Sequence, residues 1–173
     1  DGGVSCWGYN DHGLLGIGII PTNEERDIEG VGYVKKPTNV TGLPTNDPII
    51  QVVVGGQTTC ALASSGGVYC WGRGSWVGDS TLEDRSVPVD LGLSVGVSKL
   101  ASSWIHTCAL TVDGRVLCWG TAVGGLGDGV DRWQGAEAIT PNFTGAFPEG
   151  RHAVDLAVAT HGACALLDNG SVS

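Results

Sequence analysis

The stretch Gly67-Val68-Tyr69-Cys70-Trp71-Gly72 indicates how this chain folds, because the chain repeats it. Its Val-x-Cys-Trp-Gly core recurs at residues 4–8 and 116–120, and a fourth copy begins at residues 170–173. The valines of successive copies are 64, 48 and 56 residues apart. Trp and Cys are rare residues, so this recurrence indicates a repeat architecture in which the spacing varies through loop insertions.

A second phrase precedes the first at a fixed distance. It reads Thr-Cys-Ala-Leu at residues 59–62 and 107–110, and Ala-Cys-Ala-Leu at residues 163–166. The segment between the two phrases contains Asp113-Gly114 in one copy and Asn169-Gly170 in another. Such dipeptides supply the positive φ angles of tight hairpin turns. Each unit is therefore predicted to contain an antiparallel hairpin.

The rest of each unit also has the character of short strands. Apolar stretches at residues 49–54, 95–100 and 153–158 precede the hairpins, and polar loops with a short Val/Leu segment follow them. Helical periodicity is absent. Three or four short antiparallel strands per repeat predict an all-β fold of four-stranded β-propeller blades.

The repeat resembles that of the regulator-of-chromosome-condensation family. The resemblance lies in residues 6–18 (CWGYNDHGLLGIG) and 104–110 (WIHTCAL), where His106 matches the family's histidine. It implies a ring of six or seven blades, of which this chain would supply about three. We therefore expect residues 1–173 to be one propeller segment, with approximate repeats 7–70, 71–118 and 119–173. This segment would belong to a longer chain or to an assembly.

All six cysteines occupy the two hairpin phrases. Directly opposed residues of antiparallel strands lie within disulfide reach, so Cys60 is predicted to pair with Cys70, and Cys108 with Cys118. Cys6 and Cys164 would find their mates outside this chain, on unseen polypeptide or on a neighbouring copy. Buried free thiols and a zinc site are the alternatives, although the ten-residue spacing lacks a Cys-x-x-Cys knuckle.

Disulfides in successive blades would indicate an oxidising compartment, and we expect an extracellular or cell-surface location. Three N-glycosylation acceptor sequences agree with this location, and the first two are expected in loops at an exposed rim: Asn39, Asn142 and Asn169. Every apolar run is shorter than the ~18 residues of a membrane-spanning helix, so we expect no membrane insertion.

Charge and residue placement restrict the function further. Lys and Arg number 9 against 18 for Asp and Glu, a net charge of −9 that disfavours nucleic acid as a partner. The histidines fall at unrelated places in the repeat, and the residues provide no nucleophile, base, metal site or cofactor site. We therefore expect a protein that is not an enzyme. Its extra tryptophans are candidate anchors for a partner or a glycan, and burial between blades is the alternative: Trp76, Trp104 and Trp133.

The longest repeat interval contains a loop at residues 19–33 that breaks the regularity. Loops carry function on rigid scaffolds. This loop is a candidate partner contact, and the contact would involve Glu24, Glu25, Arg26, Asp27, Glu29 and Tyr33. The alternatives are a weak calcium site and a plain solvated acidic loop.

The leading prediction is a non-enzymatic structural or protein-interaction module of a secreted or surface glycoprotein. One version of this prediction is a subunit of an extracellular filament or coat. Its partners would be other protein chains, further copies of itself and N-linked glycans. One alternative is a secreted inhibitor of a hydrolase, resembling the propeller of a β-lactamase inhibitory protein. Another, disfavoured by the acidic charge, is a guanine-nucleotide exchange factor for a small GTPase.

Overall fold

The computed structural model describes residues 3–120, 126–127, 142–144 and 147–173. The described residues form short antiparallel strands joined by loops and three single-turn helices. In chain order the strands are β1 (Ser5–Tyr9), β2 (Tyr33–Asn39), β3 (Ile49–Val54), β4 (Thr58–Ala63), β5 (Val68–Gly72), β6 (Arg85–Asp90), β7 (Val97–Ser102), β8 (His106–Thr111), β9 (Val116–Gly120), β10 (Asn142–Phe143), β11 (Ala153–Ala159) and β12 (Gly162–Leu167).

These strands form four sheets. The first blade has the order β3-β4-β5-β6, and the second blade pairs β7, β8, β9 and β10 in the same way. The N-terminal half-blade consists of β1 and β2, and the C-terminal half-blade consists of β11 and β12. Two complete blades and two halves confirm the predicted all-β segment of about three propeller blades.

The sequence repeat and the blade are out of phase. Each predicted repeat boundary lies between Cys and Trp of a Cys-Trp-Gly phrase, and both residues lie within one strand, such as β5. A blade instead begins at an apolar strand such as β3 and ends at a polar outer strand such as β6. The single-turn helices lie in the connections, at Asp11–Gly13, Gly74–Val77 and Pro148–Gly150.

The core lies between blades. Leu62 and Val68 of the first blade pack in one buried cluster with Leu100 and Trp119 of the second blade. Gln51 fastens the same interface, because its side-chain amide donates to the Leu100 carbonyl and accepts from the Leu100 N–H, both at 2.8 Å. Adjacent blades are thus held by apolar burial and by paired hydrogen bonds.

The connection after a Cys-Trp-Gly strand contains a glycine on which the tryptophan of the next blade packs. Trp71 is fully buried, donates its indole N–H to the Leu14 carbonyl at 2.8 Å and lies against Gly16 of the preceding connection. Trp119 lies in the same way against Gly78. Each indole therefore packs onto a glycine that belongs to the blade before it.

The described part of the chain contains no helix that is long and apolar enough to cross a membrane.

Candidate protein-interaction surface

The hairpin cysteines face one another as predicted. Cys60 is in register with Cys70, and Cys108 with Cys118, and the Cα atoms of each pair are 4.1 Å apart. All four are buried in the blade interior, and both pairs are at disulfide distance. The two cysteines of each pair face one another because they are ten residues apart across a tight turn. The oxidation of these sulfurs to disulfides stays a prediction.

Cys6 and Cys164 lie at the outer ends of the described structure and are joined to no other described cysteine. Cys6 is half-buried in β1, and burial raises the pKa of its thiol. Cys164 is exposed on β12. Disulfide partners for Cys6 and Cys164 outside this chain stay a prediction.

The long loop of residues 19–33 is anchored by one buried side chain. Asn10 donates its amide to the carbonyls of Ile19, at 3.1 Å, and Val31, at 3.0 Å. Its side-chain oxygen accepts from the Leu15 N–H at 3.1 Å. Asn10 directly follows β1, so its hydrogen bonds fix both ends of the loop to the end of this strand. Asn10 belongs to the repeat phrase, but its residue type alone does not indicate this role.

We expect Asn10→Ala to lower the free energy of unfolding by about 3 kcal/mol, because it leaves a buried N–H and two carbonyls without their partner. The melting temperature should fall by about 6–12 °C in a chain of this size. Asn23→Ala, an exposed substitution in the same loop, is the matched control and should change the melting temperature by less than about 2 °C. Equal melting temperatures for the two variants would contradict the anchoring role.

The loop presents acidic and apolar groups together. Glu24, Asp27 and Glu29 are exposed, and so are Ile20 and Ile28. Exposed isoleucines beside carboxylates are typical of a surface that contacts another protein, where apolar anchors bury area and charges orient the partner. The acids stand out in the sequence, whereas nothing in the sequence marks Ile20 and Ile28 as exposed.

Part of the acidic charge is already paired within the protein. Arg26 approaches Asp11 at 3.3 Å, and Lys35 approaches Glu29 at 2.8 Å. Glu25 closes a local turn by accepting from the N–H and hydroxyl of Thr22, and these hydrogen bonds lower the pKa of Glu25. Among the described residues no group of three or more His, Cys, Asp or Glu side chains is arranged to hold a metal ion.

An aromatic ridge borders the loop on the N-terminal half-blade. The rings of Tyr9 and Tyr33 lie 6.4 Å apart between centroids, and the Lys35 ammonium lies 5.6 Å from the centre of the Tyr33 ring. Tyr9 is largely exposed, while Tyr33 is half-buried. We call residues 19–33 together with Tyr9 the rim surface.

The extra tryptophans differ from one another. Trp76 is half-buried, with the Arg73 guanidinium 4.9 Å from its ring. Trp104 is 62% exposed and is a candidate anchor. Trp133 lies outside the described residues.

His106, which matches the family's histidine, lies inside the second complete blade. The residue is buried, and its ring Nδ1 lies 3.2 Å from the hydroxyl of Ser103 in the turn between β7 and β8. That hydroxyl also donates to the His106 carbonyl at 3.1 Å, so it serves the turn. Burial, with a smaller contribution from His161, lowers the pKa of His106.

A lowered histidine pKa favours the neutral ring in the folded state. Stability from this group is present above the unfolded value of 6.5 and is lost as pH falls below it toward the lower folded pKa. We expect the melting temperature of the wild type to fall more steeply between pH 7.5 and pH 5.5 than that of His106→Gln. His152→Gln, a substitution at an exposed position, is the control for the loss of an imidazole, and parallel curves for the wild type and His106→Gln would refute this assignment.

Two of the three acceptor asparagines lie on different elements from those expected. Asn39 is exposed at the end of β2, and Asn142 lies in β10. The expectation that both lie in loops is therefore wrong, because the outer strand of each blade extends into these segments. The Asn142 side chain lies outside the described residues, whereas Asn169 is exposed at the β12 hairpin tip, as predicted. Glycosylation of the three sites stays a prediction.

These features define a partial β-propeller with an exposed loop that can contact other proteins. Comparison with known proteins supplies the family. Residues 1–62 match the family model described as the regulator of chromosome condensation (RCC1) repeat, and residues 97–121 match a second model of the same description. The chain belongs to the RCC1 repeat family, as its sequence pattern predicts.

Similar proteins support this assignment. Protein pim1 of Schizosaccharomyces pombe is 41% identical over 75 residues, which are 42% of this chain and 13% of that protein. The human probable E3 ubiquitin-protein ligase HERC6 is 33% identical over 101 residues, 57% of this chain and 9% of that protein.

Solved structures of the RCC1 protein of Saccharomyces cerevisiae, Prp20, share the fold. Prp20 bound to Kap60 superimposes with a TM-score of 0.78 at 21% identity, over 99% of this chain and 38% of Prp20. A second Prp20 structure, in a study of binding to Gsp1p and histones, gives a TM-score of 0.75 at 26% identity, over 98% and 40%. The chain thus spans less than half the length of each of these relatives.

Proposed function

We propose that this chain is a non-enzymatic protein-interaction segment of a secreted or surface-displayed glycoprotein. The observation that carries the proposal is the cysteine pair in each complete blade, Cys60 with Cys70 and Cys108 with Cys118, at disulfide distance. Such pairs persist in oxidising compartments. The same family fold in Prp20 was crystallised with a protein partner, Kap60, which supports an interaction role.

The rim surface is the contact that we assign to a partner. It combines the exposed isoleucines Ile20 and Ile28 with the exposed acids Glu24 and Asp27, on a loop that Asn10 holds in place. A partner that fits this surface carries basic groups around an apolar patch. Glycans on Asn39 and Asn169 would belong to the same extracellular setting, and a mass loss on enzymatic deglycosylation tests their presence.

The rim assignment is tested by reversing charge. Wild-type protein, the double variant Glu24→Lys/Asp27→Lys and the matched control Glu83→Lys/Asp90→Lys are used to capture proteins from culture medium and cell-surface extracts of the source organism. We expect the wild type and the control to retain the same partner and the rim variant to lose it.

One outcome would contradict the assignment of the rim surface, and another would contradict the proposed function. The first is capture of the same proteins by all three forms, which would place the contact elsewhere. The second is accelerated release of nucleotide from a small GTPase by the wild-type chain, which would instead favour the exchange-factor reading.

A further inference from the structure

Trp104 is an exposed indole in the second complete blade. It lies in the turn between β7 and β8, and β7 contacts the inner strands of both neighbouring blades, β3 and β11. Trp104 is thus flanked by the described inner strands of both neighbours and is still 62% exposed. Exposure of a large aromatic side chain in this setting points to a contact with another molecule.

The first blade holds the Trp104 indole in place. A Cβ on Gly56 would lie 2.5 Å from the ring, so glycine at this position lets the indole lie directly against the β3–β4 turn. The Gly56 N–H donates to the Trp104 carbonyl at 3.1 Å, and the Ser103 N–H closes the Trp104 turn by donating to the His106 carbonyl at 2.9 Å. An aromatic side chain that is fixed in advance loses little conformational freedom on binding, which makes it an effective anchor.

An arginine and a leucine adjoin this indole on the first blade. Gln57 in the β3–β4 turn accepts a hydrogen bond from the Arg73 guanidinium at 2.7 Å, and that guanidinium lies 4.9 Å from the centre of the Trp76 ring. Leu82 is exposed beside them, since the backbone of residues 82–83 lies against Gly74. We call the following residues the tryptophan strip: Gln57, Arg73, Trp76, Leu82 and Trp104.

The acids of the same connection do not neutralise Arg73. Asp79 and Glu83 approach Arg85, at 2.6 and 3.4 Å, and Asp84 lies 2.6 Å from Nδ1 of His12. Within the part of the chain that the structure describes, Arg73 forms no ion pair. The strip therefore presents an uncompensated positive charge on a chain whose net charge is −9.

This charge determines the kind of partner that fits. A guanidinium carries five N–H donors, and Gln57 engages one nitrogen of Arg73. A partner that covers Trp104 and Leu82 would also remove water from Arg73, and a desolvated cation is costly unless it is paired. A carboxylate is the complementary group, because it accepts two parallel hydrogen bonds from a guanidinium.

We propose that the tryptophan strip binds a segment of a partner protein in which a carboxylate is flanked by apolar side chains. The carboxylate pairs with Arg73, and the apolar side chains cover Trp104 and Leu82. Trp and Arg are enriched among the residues that dominate binding energy at protein interfaces. This inference rests on the interaction role in the proposed function, but it depends neither on the extracellular location nor on the rim surface.

Peptide selection tests the chemistry of the partner. The 173-residue chain is used to select binders from a phage library of random 12-residue peptides, and the Kd of each enriched peptide is measured by fluorescence polarisation. We expect the enriched peptides to combine Asp or Glu with apolar or aromatic residues. Replacing the acids of a selected peptide by the corresponding amides should weaken its binding to the wild-type chain about tenfold, because Arg73 then lacks its charged partner.

Substitutions in the chain test the location of the contact. Trp104→Ala and Arg73→Gln should each weaken binding of the selected peptides about tenfold or more. Val112→Ala and Arg115→Gln are the matched controls, because they remove an exposed apolar side chain and a partly exposed arginine at the other end of β8. Each control should change the Kd less than about twofold, and thermal unfolding verifies that all four variants stay folded.

Several results would overturn the tryptophan strip as a peptide site. They are a selection that yields no binder or only Lys- and Arg-rich peptides, equal affinities of the wild type and Trp104→Ala, and binding of the neutral oligosaccharide maltohexaose in place of any peptide. Loss of peptide binding only in Glu24→Lys/Asp27→Lys would refute the strip and leave the interaction role intact. Failure of the wild type to retain any partner in the capture experiment would instead refute the interaction role itself.

Discussion

Reduction of the two hairpin disulfides is expected to lower the free energy of unfolding by about 5 kcal/mol. Each bond would close a loop between residues ten apart in sequence. In the chain-entropy model a loop of this size contributes about 2.7 kcal/mol, because the bond restricts the unfolded chain. The melting temperature measured by calorimetry should fall by about 10–20 °C on addition of a reductant.

Paired substitutions separate the two bonds. Cys60→Ala/Cys70→Ala and Cys108→Ala/Cys118→Ala should each show about half of the wild-type response to reductant, and the quadruple variant should show none. A wild-type melting temperature that ignores the reductant would mean that the sulfurs are unpaired, and the proposed compartment would lose its support.

Gly78→Ala is expected to lower the free energy of unfolding by about 4 kcal/mol. Gly78 has a φ of +91°, where a side chain is strained, and a Cβ there would lie 2.6 Å from the Trp119 ring. Forcing the indole away from the interface between the blades adds the cost of overpacking. Thermal or chemical unfolding monitored by tryptophan fluorescence measures the loss.

Gly18→Ala is the matched control for this substitution. Gly18 has a φ of +85°, and a Cβ there meets nothing within 4 Å. It carries the same backbone strain without the contact, and we expect a loss of about 1–2 kcal/mol. The difference between the two variants isolates the indole packing, and equal losses would mean that Trp119 does not depend on this glycine.

The inner part of each blade was predictable from the sequence because its signals are local and repeated. Asp113-Gly114 predicts a tight turn, and Gly114 indeed has a φ of +77°. The equal spacing of the cysteine phrases across that turn fixes the register, which the structure reproduces at Cys108 and Cys118. The buried pattern of β8 and β9 follows from the same phrases.

The outer strands were not predictable in the same way. β2 reads Tyr-Val-Lys-Lys-Pro-Thr-Asn and β6 contains Pro88, so both resemble loops. Proline and charge are tolerated in edge strands, which pair on one side only. Asn39 was therefore assigned to a loop although it ends β2.

The rim surface was predictable only in part. Clustered acids and excess length mark residues 19–33 as a special loop, but no local signal shows that Asn10 bonds to both of its ends. That contact arises when the chain returns to β1 after more than twenty residues, and it depends on the fold as a whole. The exposure of Ile20 and Ile28 is likewise a property of the folded loop.

The most direct test of paired blade cysteines is a count of thiols on protein isolated from its source under alkylating conditions. We predict no alkylation at Cys60, Cys70, Cys108 or Cys118 before reduction, complete alkylation at all four afterwards, and disulfide-linked peptides that join Cys60 to Cys70 and Cys108 to Cys118. Alkylation of these four positions before reduction, or linkage in another order, would contradict the disulfide-stapled propeller and the extracellular role proposed from it.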